Sequence, residues 1–131
     1  MPIKLKYDTE NRILLVTVTE RFVVDEIASA FDLIATSSEY PPNVDAIWEF
    51  QEVDFRPTNQ EIVLKIISLS KKHPQRAGCK VAWIAPKGSV AFGMLRMYQS
   101  FAESNLPLQF KIFQDYSESE QWILQSRLQS P

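Results

Sequence analysis

The chain contains one cysteine, Cys79, and one histidine, His73. No intramolecular disulfide can form, and no zinc site built from several Cys and His ligands can be drawn. No run approaches about 18 apolar residues, so no transmembrane helix is expected. Residues 1–12 are polar and mixed, without the apolar core of a signal peptide. Charge of one sign is lacking as well. Fourteen Lys and Arg stand against sixteen Asp and Glu, a net charge of −2, so the basic footprint of a nucleic-acid binder is missing and no nucleic-acid partner is expected. These absences point to a soluble cytoplasmic protein.

What is present suits one globular domain over residues 1–131. The chain is 45% hydrophobic and 23% charged, enough to build a core and too apolar for disorder. Residues 3–7, Ile-Lys-Leu-Lys-Tyr, alternate with period two and predict a half-exposed strand. Asp8-Thr9-Glu10-Asn11 supplies a hairpin turn, and residues 13–19, rich in β-branched side chains, form its partner strand. From Val24 the period becomes helical, with Val24, Ile27, Ala28, Phe31, Ile34 and Ala35 on one stripe and Leu33 off it. Residues 44–50 read as a third strand.

Thr58-Asn59-Gln60-Glu61 has capping-box spacing. It precedes a helix that carries Ile62, Val63, Ile66, Ile67 and Leu69 on one side. Residues 81–85 form a short, continuously apolar run expected of a central strand. Ser89 caps the next helix, which runs to about Ser104. Residues 108–114 form an outer strand. Ser117 and Glu120 form a second capping box before a last helix bearing Trp122 and Ile123. The predicted fold is α/β: a mixed, mostly parallel five-stranded sheet in the order β-β-α-β-α-β-α-β-α, with helices packed on it.

Few residues suggest chemistry. Gly88 and Gly93 have the spacing of a phosphate loop, but Met94 and Leu95 stand where Lys and Ser/Thr would reach phosphate and magnesium. Gly93 inside a helix destabilises it by roughly 0.5–1 kcal/mol relative to alanine. Close approach of a neighbouring backbone accounts for that; alternatively, a small residue keeps a cleft open beside Phe92. Phe92, Arg96 and Gln99 point away from the helix's core stripe of Val90, Ala91, Met94, Leu95, Tyr98, Phe101 and Ala102. Cys79 reads as a buried small hydrophobe and His73 as a capping or exposed residue. Lys71, Lys72, Arg76 and Lys80 read as a solvated helix end, and Glu49, Glu52 and Asp54 as a solvated acidic loop. No nucleophile elbow, triad, metal set or cofactor fingerprint appears, so neither an enzyme nor a bound cofactor is expected.

The element order, with residues 81–85 (VAWIA), 90–97 (VAFGMLRM), Ile112-Phe113 and 118–124 (ESEQWIL), resembles the SpoIIAA-like family, described as STAS/SEC14-like. The likeness covers nearly the whole chain through structural rather than chemical motifs. It implies a small mixed-sheet domain with a non-catalytic binding or regulatory role. It further implies an apolar or amphiphilic, lipid-like ligand, or peripheral association with a membrane surface. In open α/β sheets ligands bind at the C-terminal strand ends. The candidate cleft there comprises Phe50, Phe55, Pro86, Lys87, Gly88, Ser89, Phe92 and Arg96. The phenylalanines would supply apolar contact, and Lys87, Arg96 and the helix N-terminus would hold an acidic head group. Phosphorylation-switched STAS proteins carry a serine at the start of the helix after the third strand. Here Thr58 is the nearest hydroxyl and the Asp-Ser pattern is missing. The alternative function is protein interaction, as a homodimer or a partner switch of the anti-sigma-antagonist kind, with Leu33, Leu124 and Leu128 as candidate exposed apolar contacts.

Overall fold

In a computed structural model, residues 3–21, 23–54, 60–85 and 90–129 are described. Among them lie five strands and four α-helices in the expected alternation. They are β1 (Ile3–Asp8), β2 (Ile13–Arg21), α1 (Val24–Thr36), β3 (Asp45–Asp54), α2 (Gln60–Ser70), β4 (Lys80–Ile84), α3 (Val90–Asn105), β5 (Gln109–Phe113) and α4 (Tyr116–Gln129). A 3-10 turn at Pro74–Arg76, between α2 and β4, was not foreseen.

The five strands form one sheet in sequential order, β1 to β5. β1 pairs antiparallel with β2, and β2, β3, β4 and β5 are mutually parallel. Three crossovers that all step in one direction with one hand must lay their helices on one face. The core bears this out. Leu14, Val16 and Val18 of β2 share a face with Ala46, Trp48 and Phe50 of β3 and Val81 and Trp83 of β4, and α1, α2 and α3 bury their apolar stripes against it. The alternate residues, Ile13, Ile47, Ala82, Ile84 and Phe113, meet Ile123 of α4 on the opposite face, with Trp122 and Leu124 packed alongside. Leu124 is therefore not an exposed contact, whereas Leu33 and Leu128 are exposed, at 57% and 85%, and so is Leu64.

Local chemistry sets the joints. Asp8 accepts the backbone N–H groups of Glu10 and Asn11 and the Asn11 side-chain amide, which closes the β1–β2 turn as expected. These bonds, the Asn11 backbone N–H first, hold the Asp8 carboxyl below its ordinary pKa. Gly78 adopts φ +82° between the 3-10 turn and β4, a left-handed conformation that suits glycine. The β2–β3 register slips between Thr19 and Arg21, where Glu20 takes φ 70°.

One capping expectation changes. α4 begins at Tyr116, and its N-cap is Asp115, whose Oδ1 accepts the Glu118 N–H at 2.8 Å. Ser117 lies inside the first turn instead. The first capping hydroxyl, Thr58, lies outside the described residues, as does Ser89.

Candidate functional site

Of the eight cleft residues read from the sequence, Phe55, Pro86, Lys87, Gly88 and Ser89 lie outside the described residues. The other three do not form an apolar surface. Phe50 is 5% exposed and its ring packs on Trp83, centroids 4.9 Å apart. It is a core residue because β3 directs it, with Trp48, toward the three-helix face. Phe92 is half-buried and packs against that same core, so it does not stand off it as expected. Arg96 is exposed. Gly93 is exposed too, and no described residue approaches within 4 Å of a Cβ built there. Gln99 is also turned inward. Its Oε1 accepts the Ile112 N–H at 3.0 Å, satisfying a donor on the open edge of β5.

The structure draws attention to the opposite end of the sheet. Toward the N-terminal ends of β4 and β5, between the sheet and the helices α1, α2 and α3, lies a cavity of about 40 Å³. Its apolar wall includes Phe31, Trp48, Trp83, Phe110, Leu106 and Leu108. Trp83 organises it. The ring stacks on Tyr98 at 4.8 Å with an interplanar angle of 10°, meets Phe110 edge-on at 5.1 Å and lies 5.6 Å from Trp48. Alternation along β4 places Trp83 beside Val81 on this face, and the helical period of α3 brings Tyr98 down on it.

Ser70, His73, Arg76 and Tyr98 line the same cavity. The Ser70 hydroxyl donates to the Ile66 carbonyl at 3.1 Å, which leaves its oxygen to accept from the Tyr98 hydroxyl at 3.4 Å. Burial pushes the Tyr98 pKa up to about 12, partly opposed by Ser70. His73 Nε2 pairs with Asp32 of α1 at 2.9 Å. The imidazole is 14% exposed and the carboxylate 72%, so this pair marks the solvent side of the cavity. His73 thus stands at the N-cap position of the 3-10 turn, without a side-chain capping bond, and is not a free surface residue. Arg76 departs furthest from expectation. It is 9% exposed, and its Nη1 donates to the carbonyls of Pro42 and Val44. Desolvation draws its pKa down from the ordinary arginine value, while the polar neighbours Cys79, Asp45 and Tyr40 oppose that change.

Proline places Arg76 inside. Pro74 follows His73 and fixes a 3-10 turn, which directs the third residue of the turn toward the 41–44 loop. Composition alone sees only a lysine- and arginine-rich helix end. The readable sign was the interruption of that run by a proline.

Two other features are less suited to chemistry. A polar hollow of about 290 Å³ is lined by Tyr7, Arg12, Asn43, Asp45 and Arg127. There Arg127 donates to the Asn11 and Arg12 carbonyls and to Asp45 Oδ2 at 3.0 Å. A groove of about 340 Å³ runs between β1 and α1, lined by Ile3, Leu5, Ala30 and Leu33 with Asp25 and Glu26 at its rim. Cys79 is buried, and burial raises its thiol to about 11, which makes it a poor nucleophile. Among the described residues no group of three or more His, Cys, Asp or Glu side chains is arranged to hold a metal ion, and no helix is long and apolar enough to cross a membrane. Comparison with known protein families and with curated proteins finds no match for the chain.

Proposed function

We propose that this protein is a non-catalytic binding or regulatory domain of the SpoIIAA-like, STAS/SEC14-like kind, and that it takes a small apolar or amphiphilic molecule in the cavity under α1, α2 and α3. One observation carries the reading. An aromatic-walled hollow within the main core has a polar lining of Ser70, His73, Arg76 and Tyr98. Ligand sites combine apolar walls with a few orienting polar groups in this manner. The one-sided layering of α1 to α3 and the antiparallel β1 support the family likeness. At about 40 Å³ the hollow accepts a small molecule rather than a lipid chain, so a lipid-like ligand or a membrane surface would first require α1 to move.

Trp48 and Trp83 line the hollow and serve as intrinsic reporters. Short apolar amides and acids added to the wild type are expected to change tryptophan fluorescence saturably and to raise the melting temperature. Leu108→Trp, which occupies the space, is expected to abolish both responses. No response from the wild type to any of these molecules refutes the reading.

A second reading, self-association, is favoured by Leu33, 57% exposed beside the β1–α1 groove. The edge strands count against strand-to-strand pairing, because β1 turns Lys4 and Lys6 outward and β5 turns Lys111 outward. Sedimentation of the wild type and of Leu33→Glu separates the two. A concentration-independent monomer rejects self-association.

A further inference from the structure

We infer that the cavity is a carboxylate site for a small apolar acid, read by the unused edge of the Arg76 guanidinium. This rests on the binding reading above and adds the identity of the head group.

An arginine carries five N–H donors in a planar fork. The two on Nη1 of Arg76 go to the Pro42 and Val44 carbonyls. The three on Nε and Nη2 have no acceptor among the described residues, although the residue is only 9% exposed. Nor is the charge paired there. The nearest candidate, Asp45, commits Oδ1 to the Lys80 N–H at 2.8 Å and Oδ2 to Arg127 at 3.0 Å. A buried cation with idle donors is destabilising unless something completes it. Arg76 forms part of the wall of a hollow, so its missing partner has a place to sit.

The geometry selects the partner. Nε and Nη2 present two parallel donors on one side of the guanidinium, spaced to meet both oxygens of a carboxylate. A single negative charge matches the single available cation. His73 is paired with Asp32, and Lys71 and Lys72 are exposed, so a dianionic phosphate would enter with one charge unmatched. The remaining wall, with Trp83, Phe110, Leu106 and Leu108, offers apolar contact to a short hydrocarbon body. A cavity of about 40 Å³ holds roughly three water-sized groups, about the carboxylate itself, so the hydrocarbon body of propionate or butyrate must also displace wall side chains. Longer acids would need the Asp32–His73 pair to part.

The test compares each acid with its uncharged amide of nearly the same shape. Propionate, butyrate, propionamide and butyramide are titrated into the full chain, with tryptophan fluorescence and melting temperature as readouts. In the wild type the acids are expected to bind at least about tenfold more tightly than the amides, the range of a charge-assisted pair. In Arg76→Met that preference should vanish while amide binding persists. Arg76→Lys keeps the charge without the fork and should show an intermediate preference, which covers the case that Arg76→Met does not fold. Equal binding of acids and amides by the wild type, or an acid preference that survives Arg76→Met, overturns the carboxylate inference and leaves the binding site standing. Failure of acids and amides alike overturns both.

Discussion

Gly93 is an exposed residue of α3 with no described atom within 4 Å of the position of a Cβ. Its backbone is helical, so no left-handed conformation calls for glycine there. Gly93→Ala is expected to stabilise the fold by about 0.5–1 kcal/mol, visible as a rise of a few degrees in melting temperature. A loss of stability would show that the position is under a constraint from its undescribed neighbours. Arg76 and His73 illustrate the opposite case at the same scale. Their types suggested solvent, yet a single proline between them turned one into the cavity and the other onto Asp32. Residue type sets what a side chain can do, and the local backbone decides where it does so.

At the scale of elements, the helices and strands were legible because their periods are strong. The ends were less so. Ser117 has the capping-box spacing in sequence, and Asp115 lies two residues before it. The structure selects Asp115, since starting the helix at Tyr116 lets Tyr116, Trp122 and Ile123 all reach the sheet. Asp115→Ala is expected to lower stability by about 1 kcal/mol, and Ser117→Ala to change it little, as chemical denaturation of the two variants would register. The open edge of β5 offers a parallel lesson. Gln99 looked like a solvent residue on the helical wheel, but α3 crosses close enough to that edge for its amide to cover the Ile112 N–H.

Across the whole molecule, Arg127 near the end of α4 fastens three segments distant in sequence. It holds the β1–β2 turn through the Asn11 and Arg12 carbonyls, and the start of β3 through Asp45. Arg127→Met is expected to lower stability by about 1–3 kcal/mol, measured as a reduced urea midpoint with little change in slope. Alkaline sensitivity is the second global property. Burial raises Cys79 from 9.0 to about 11 and Tyr98 from 10.0 to about 12. Groups that hold their protons more tightly when folded stabilise the protein fully below their unfolded pKa, and that contribution is lost as pH rises through the folded value. Stability should therefore stay level in these two groups up to about pH 9 and fall between about pH 9 and 12. The Tyr98 share is on the order of 2–3 kcal/mol. Tyr98→Phe, which keeps the ring on Trp83, is expected to flatten the upper part of that fall in melting temperature against pH. An unchanged profile would remove Tyr98 from the account.

The sequence by itself determined the order and type of the elements, the antiparallel start, the two edge strands and the identity of most core residues. All of these follow from periods of two or 3.6 and from turn chemistry, which act over a few neighbouring residues. Only the tertiary structure decided that the hollow lies at the N-terminal strand ends, that Trp83 and Tyr98 stack to build its wall, and that Arg76 lines it. Those facts join residues from α1 to β5, and no local pattern records which side chains will converge when the crossovers close over one face of the sheet.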